Sequence, residues 1–189
     1  MLKLKDKYKK EVIPKMTEKF GYKSPMAVPR IKKAVVNTGF GREAVAKTGE
    51  EQKKLQETTL ESLSLICGQR AVLTNAKKAI SSFKLRKGMP VGAMVTLRGQ
   101  RMYDFLERII NVVLPRSRDF RGIDPKSIDG QGNLTIAMKE HTAFPEVSPE
   151  KARQIFGLEI TVVTSAKSKE EGLELLKFMG FPIKSTNNE

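Results

Sequence analysis

Tryptophan is absent from this sequence, cysteine occurs once, and acidic side chains are missing from a long central stretch. The single cysteine, Cys67, excludes an intramolecular disulfide and a zinc-binding thiolate cluster, which fits a reducing compartment. Without tryptophan the chain has few platforms on which single-stranded bases could stack. No window approaches the ~18 consecutive apolar residues of a membrane span, and the basic N-terminus lacks the apolar stretch of a signal peptide. We therefore expect no membrane partner and no metal or other cofactor.

The missing acidic residues expose a local excess of positive charge. Residues 62–103 contain no aspartate or glutamate and carry eight basic side chains. Residues 1–61 hold 15 basic and 8 acidic residues, whereas residues 104–189 hold 12 basic and 13 acidic residues. The net charge of +14 is therefore segregated, and such a field attracts a polyanion. Nucleic acid is the favoured partner, with a solvated basic loop or an acidic protein partner as the alternatives that composition leaves open.

Hydrophobic spacing predicts alternating helices and strands. The predicted helices run from Tyr8 to Gly21, from Leu55 to Gly68, from Met102 to Pro115, from Ser148 onwards, and from Ser168 to Gly180. Stretches rich in β-branched residues predict strands at Ile31 to Thr38, Val91 to Leu97, Leu134 to Met138 and Leu158 to Thr164. Pro14 lies inside the first helix and is expected to kink it. Since the βαβ spacing is irregular, we predict an α+β fold, with a single domain over residues 1–189 and one sheet covered by helices.

The segment from Thr74 to Met89 is polar and basic, and its only strong apolar residues are Ile80, Phe83 and Leu85. We expect it to be an exposed loop outside the core.

Two other charged groups can each be interpreted in two ways. The N-terminal lysines, Lys3, Lys5, Lys7, Lys9 and Lys10, form either a solvated face or a contact surface. Three arginines, Arg116, Arg118 and Arg121, surround Asp119 and form either a local ion-pair cluster or an RNA contact.

Two enzymatic alternatives rest on short motifs. The run from Gly39 to Ala44 matches the Gly-x-Gly-x-x-Ala dinucleotide fingerprint, but the next apolar stretch has helical periodicity where a second parallel strand is required. Cys67 and His141 could form a nucleophile and base pair, although Cys67 lies on the apolar side of a helix end, where a buried thiol is the ordinary outcome. Neither motif has the context that its chemistry requires, and we predict a protein without catalytic residues.

Four motifs in the same order resemble one family. The stretches Leu65 to Ala79, Phe83 to Gly92, Val95 to Gly99 and Arg116 to Gly122 are similar to those of the bacterial ribosomal protein L5 family, the 5S rRNA-binding proteins of the large subunit. The likeness extends over essentially the whole chain. The departures are a polar tail, residues 185–189, and His141 where family members carry glutamine.

The resemblance implies an antiparallel sheet backed by helices, a basic loop at residues 74–89 projecting from it, and a place in the central protuberance of the ribosome in the cytoplasm. Its implied partners are 5S rRNA, neighbouring large-subunit rRNA, the peptidyl-site tRNA, and a protein of the small-subunit head across an intersubunit bridge. The implied rRNA ligands are Asn37, Thr38, Gly39, Gln69, Thr96 and Arg98, with Gly41 also allowing close approach of the backbone. The implied tRNA contacts are Thr74, Lys77, Lys78, Ser81, Ser82, Lys84, Arg86 and Lys87.

Overall fold

The computed structural model describes residues 3–47, 49–118, 120–147 and 155–184. The chain divides into two compact units, each assembled from segments that are separated in sequence. The first unit comprises Met1–Ala34, Leu97–Ile136 and Thr161–Glu189, and the second comprises Val35–Thr96 and Ala137–Ile160. The single domain over residues 1–189 stays a prediction. The predicted helix from Ser148 begins outside the described residues, as does the polar tail at residues 185–189.

In the described residues, five strands form one antiparallel sheet in the order β2-β3-β1-β5-β4. The strands are β1 (Ile31–Gly39), β2 (Val72–Asn75), β3 (Pro90–Leu97), β4 (Leu134–Met138) and β5 (Leu158–Thr164). Buried and more accessible residues alternate along β4 and β5, as expected where one face of a sheet lies against the core. The α+β class and the four predicted strands are confirmed. The short strand β2 is an addition to them.

Among the described residues, two α-helices contain a proline, and a π-helical turn lies just before each of them. The first region consists of α1 (Leu4–Lys7), a π-helical turn at Tyr8–Val12, and α2 (Ile13–Phe20), which contains Pro14. A proline ring collides with the carbonyl four residues earlier, and the wider π-helical turn relieves that crowding. The predicted interruption at Pro14 therefore takes the form of a π-helical turn, and the helix ends at Gly21 as expected.

The arrangement of a π-helical turn before a proline recurs later in the sequence, after three further helices. Those helices are α3 (Gly41–Ala46), α4 (Glu50–Cys67) and α5 (Gly99–Arg108). After α5 come a π-helical turn at Ile109–Val113 and then α6 (Leu114–Arg116), which contains Pro115. The helix thus ends one residue beyond the predicted stop at Pro115, because proline is tolerated in the first turn of a new helical segment.

Glycine and serine fix the ends of the two remaining predicted helices. Gly68 follows α4 in the left-handed conformation at φ 63°, which glycine adopts without a Cβ clash. The last helix, α7 (Lys169–Met179), begins after Ser168, whose side chain accepts a hydrogen bond from the Glu171 amide, and it ends at Gly180. The Glu171 carboxylate completes the cap by accepting a hydrogen bond at 2.9 Å from the amide of Lys167, the residue before Ser168.

Two glycines bring the turn before β4 against α7 within the first unit. A methyl group added at Gly172 would lie 2.5 Å from the carbonyl oxygen of Gly132, which is backbone and not a movable side chain. The turn itself is held because the Thr164 hydroxyl donates to the Gly132 carbonyl at 3.0 Å. The sequence pattern does not identify either glycine as a packing position. In the structure, however, the backbones of the helix and the turn approach each other so closely that no side chain fits between them.

Candidate nucleic-acid interface

The end of β1 presents alternate residues to solvent. Asn37 and Gly39 are exposed, whereas Thr38 between them is 3% exposed. The Thr38 hydroxyl donates to the Gly157 carbonyl at 2.8 Å, so this side chain stabilises the second unit internally. Because side chains alternate along a strand, Asn37 and Gly39 share the open face of the sheet and Thr38 points to the other face. Of these three adjacent predicted ligands, Asn37 and Gly39 are therefore accessible to solvent, whereas the Thr38 hydroxyl is already engaged in a hydrogen bond within the protein.

Gln69 and Thr96 are 27 residues apart in sequence, and the structure brings them together. The Gln69 side-chain amide donates to the Thr96 carbonyl at 3.2 Å, and both residues are half-buried. This bond ties the chain before β2 to β3 and fixes the orientation of the glutamine. Arg98 lies two residues further along, at the position preceding α5, where it is exposed and belongs to the first unit.

The open face of β3 also contains residues that the sequence reasoning missed. Val72 of β2 is paired with Met94 of β3, and these side chains are 64% and 38% exposed. Gly92 precedes Met94 in β3 and approaches both neighbouring strands, since a methyl group there would be 2.5 Å from the Thr38 carbonyl oxygen of β1 and 2.8 Å from the Thr74 hydroxyl oxygen of β2. The apolar residues Ala93, Val95 and Leu97 alternate along β3 and are buried, and this spacing could have indicated that the residues between them lie on the open face.

The basic hairpin, residues 74–89, connects the antiparallel strands β2 and β3. Backbone bonds extend the pairing beyond the strands, from the Ala76 amide to the Met89 carbonyl at 2.8 Å and from the Gly88 amide to the Ala76 carbonyl at 2.9 Å. Nearer the tip, Ile80 and Leu85 exchange backbone bonds at 3.0 and 3.1 Å around a 3₁₀ turn at Ser81–Phe83. The segment therefore has its own hydrogen-bonded frame.

The polar side chains of the basic hairpin are displayed outward. Of the predicted tRNA contacts, Thr74 is half-buried, and the exposed ones are Lys77, Lys78, Ser81, Ser82, Lys84, Arg86 and Lys87. Within the described part of the chain, no ion pair involves any of the five cations. Their charge is therefore available to a polyanion.

Lys84 has an unusual backbone conformation at the tip of the basic hairpin. It is the one non-glycine residue with a positive φ among the described residues, at 52°. Lysine in the left-handed region costs about 1 kcal/mol or more relative to glycine, so glycine would be the easier choice if only the turn mattered. The Lys84 side chain is exposed.

The N-terminal lysines do not form a uniform solvated face. Lys3, Lys5, Lys9 and Lys10 are exposed, but Lys7 is half-buried and its ammonium group donates to the Met179 carbonyl at 3.3 Å. A cation at the last carbonyls of α7 stabilises the negative end of that helix. For the arginine group, Asp119 lies outside the described residues, so its two interpretations stay hypotheses.

The dinucleotide fingerprint is placed in an unsuitable context. A helix does begin inside the Gly39 to Ala44 run, but α3 has only six residues and is followed by α4, not by a strand. The next strand, β2, pairs antiparallel with β3. A dinucleotide-binding unit requires parallel strands joined by a crossover helix, and the sheet is antiparallel.

Comparison with known proteins decides the assignment. The family model for ribosomal protein L5 matches residues 24–86, and the model for the C-terminal region of the same family matches residues 90–183. The chain belongs to the ribosomal protein L5 family. Among similar proteins named large ribosomal subunit protein uL5, that of Syntrophus aciditrophicus is 52% identical over 185 residues, covering 98% of this chain and 100% of the relative.

Other relatives agree over the same length. The large ribosomal subunit protein uL5 of Desulforapulum autotrophicum is 51% identical over 98% of this chain and 100% of its own. That of Halothermothrix orenii is 50% identical over 95% of this chain and 97% of its own. The chain is therefore a structural constituent of the large ribosomal subunit in the cytoplasm and not an enzyme, and rRNA binding is characteristic of its family. None of the helices in the described residues is long and apolar enough to span a membrane.

In this L5-family chain His141 has a structural position. It is 1% exposed, its ring stacks on Phe156 with centroids 3.9 Å apart, and Nδ1 accepts a hydrogen bond from the Phe156 amide at 3.3 Å. Cys67 is also buried. The nucleophile pair suggested by these two residues is excluded by the family assignment, and the histidine serves the packing of the second unit.

Acidification is expected to weaken the fold through His141. Burial lowers the pKa of His141 from its usual range, so the folded chain binds the proton less readily than the unfolded chain does. The contribution of the neutral ring is complete above the unfolded pKa of ~6.5 and is lost as pH falls below it toward the folded pKa. Urea melts between pH 7.5 and 5 should show a stability loss that the variant His141→Gln reduces. An unchanged loss in the variant would contradict this assignment.

Proposed function

We propose that this chain binds 5S rRNA through the predicted ligands of β1, of β3 and of the residues that flank β2 and β3, and peptidyl-site tRNA through the basic hairpin. The observation that supports the proposal best is the exposure of five cations, none of them in an ion pair with another described residue, on a hydrogen-bonded hairpin within a 42-residue stretch that lacks acidic residues. Phosphate contacts of this kind position a protein on RNA without reading sequence. That suits a contact that must accept every elongator tRNA.

The proposed rRNA ligands have the chemistry that specific RNA recognition requires. The Asn37 and Gln69 amides can meet base edges and 2′-hydroxyls, and the Arg98 guanidinium can hold a phosphate through two parallel hydrogen bonds. Thr38 contributes through its backbone and by orienting the strand, because its hydroxyl is bound to Gly157. The Gln69 bond to β3 preorganises its side chain, which reduces the entropy lost on binding. Neighbouring rRNA and a protein of the small-subunit head complete the proposed set of partners.

A salt titration of 5S rRNA binding tests the proposal directly. The purified chain is titrated with labelled 5S rRNA in the presence of bulk tRNA or of a scrambled RNA of equal length. We expect saturable binding that resists both competitors. Equal affinity for all three RNAs, collapsing as salt rises, would show only counterion release from a basic surface and would refute specific 5S recognition.

Gly39→Ala is expected to weaken 5S rRNA binding about tenfold or more without harming the fold. Apart from its chain neighbours, no atom of the described residues would lie within 4 Å of a methyl group at Gly39, and the residue lacks a positive φ, so alanine is accommodated in the free protein. Any loss of affinity then reports an RNA backbone that approaches this position closely. Gly130→Ala is the matched control, because Gly130 is equally open and lies outside the predicted site. Unchanged affinity for Gly39→Ala, measured by filter binding, would remove Gly39 from the interface.

A further inference from the structure

A groove of about 640 Å³ lies between α3 and the basic hairpin in the second unit. The large apolar side chains that line it are Val45, Ile80, Phe83, Leu85 and Val91. Ile80 is 42% exposed and Phe83 is 66% exposed, although large apolar side chains on a hairpin would ordinarily be covered or replaced by polar ones. Contact with tRNA phosphates does not account for these side chains, because phosphate recognition requires only the cations.

The chemistry of the lining indicates the kind of group that it accepts. Four of these five side chains are aliphatic, and Phe83 is the one aromatic ring among them. RNA bases are usually held on aromatic faces or guanidinium planes, whereas leucine, isoleucine and phenylalanine side chains pack well against aliphatic surfaces. The groove therefore favours apolar protein side chains over stacked bases. Its volume suits a few such side chains from one helical stripe.

The edge of the same groove is positively charged. Arg42 of α3 and the hairpin residues Lys77 and Lys78 line it, and all three side chains are exposed. Glu43, the acidic residue of α3, does not line the groove. Apolar lining with a cationic edge is complementary to a segment that carries apolar residues on one face and carboxylates beside them.

We propose that this groove binds an acidic amphipathic helix of a partner protein. The apolar side chains of that helix pack on Ile80, Phe83 and Val45, and its carboxylates pair with Arg42, Lys77 and Lys78. In so far as the proposed tRNA contact holds, Lys77 and Lys78 serve both ligands, and the two ligands exclude each other. Such a partner would therefore cover the basic hairpin of a chain, or of a subunit, that holds no peptidyl-site tRNA.

The test uses a fluorescein-labelled peptide of about 18 residues, five helical turns, with leucines on one helical face and glutamates elsewhere. Fluorescence anisotropy is measured with the full-length chain. A peptide of the same composition, with the leucines distributed around the helix, controls for charge alone. We expect saturable binding of the amphipathic peptide, at least about tenfold tighter than that of the redistributed one. Equal affinity for both peptides, or no binding, would overturn the proposal.

Variants of two similarly exposed apolar residues locate the site. Phe83→Ser should weaken binding of the amphipathic peptide about tenfold or more, whereas Leu65→Ser should leave it unchanged. Leu65, at 64%, is as exposed as Phe83 but does not line the groove, and neither substitution disturbs the core. Equal effects of both variants would refute the groove as the binding site.

The binding of a single-stranded RNA of about ten nucleotides to the same variants is measured in parallel. A loss of RNA affinity in Phe83→Ser, with peptide affinity unchanged, would overturn the proposal in favour of base stacking.

Discussion

Replacing Gly172 with alanine is expected to lower the free energy of unfolding by about 2 kcal/mol or more, despite the better helix propensity of alanine. The new methyl group would lie 2.5 Å from the Gly132 carbonyl oxygen and closer still to the Gly132 α-carbon. Both atoms are backbone, so no side chain can rotate away. Relief requires the turn before β4 to move off α7, which stretches the 3.0 Å bond from Thr164 to the Gly132 carbonyl.

Thermal and urea unfolding of the purified variant measure this effect. For a chain of this length, 2 kcal/mol corresponds to a fall in Tm of about 4–8 °C. Gly130→Ala is again the matched control, because it adds a methyl group to the same turn with no atom within 4 Å, and it should leave Tm almost unchanged. If Gly172→Ala were as stable as the parent chain, the close packing of the turn on α7 would be incorrect.

Local chemistry made several elements of this fold predictable. Gly21, Gly68 and Gly180 end helices at the expected positions because glycine alone adopts the left-handed conformation cheaply. Leu158 to Thr164 is a strand over its whole predicted length, since alternation places one face against the core. In each case the information lies within a few consecutive residues.

What the sequence could not show depends on contacts between distant residues. The strand β2 is only four residues long, and its pairing with β3 defines it. The hydroxyl of Thr38 turns inward to a carbonyl 119 residues away, so this predicted ligand also has a structural role. His141 likewise gains its role from stacking on Phe156. Such pairings follow from tertiary packing, and no local sequence pattern shows which distant residues will meet.

The candidate site divides in the same way. Its charge was predictable, because the absence of acidic residues over residues 62–103 is a compositional fact that folding does not alter. The apolar groove was not, although Ile80, Phe83 and Leu85 were recognised as apolar. Val45 of α3 and Val91 of β3 are needed to complete it, and Val45 lies far from Phe83 in sequence. The sequence thus indicated a basic loop, and the structure adds an apolar surface beside it.

Removing four charges from the basic hairpin is expected to separate its role from that of the sheet. The variant carries Lys77→Gln, Lys78→Gln, Lys84→Asn and Arg86→Gln. Asparagine is chosen at position 84 because it tolerates the positive φ of 52° better than other polar residues do. Each phosphate contact contributes a slope of about 0.7–0.9 to the dependence of log K on log salt, so the slope for tRNA should fall by about 3. Retention of peptidyl-site tRNA on assembled ribosomes should weaken about tenfold or more.

The control variant removes the same charge elsewhere. Lys3, Lys5, Lys9 and Lys10 are exposed, and replacing them with glutamine also lowers the net charge from +14 to about +10. If the hairpin cations act by position, only the hairpin variant loses tRNA retention, while its 5S rRNA affinity stays within about twofold of the parent. Equal losses in both variants would mean that tRNA responds to overall charge alone. Loss of 5S rRNA binding in the hairpin variant would instead show that one surface serves both RNAs, and the division of labour between sheet and hairpin would be refuted.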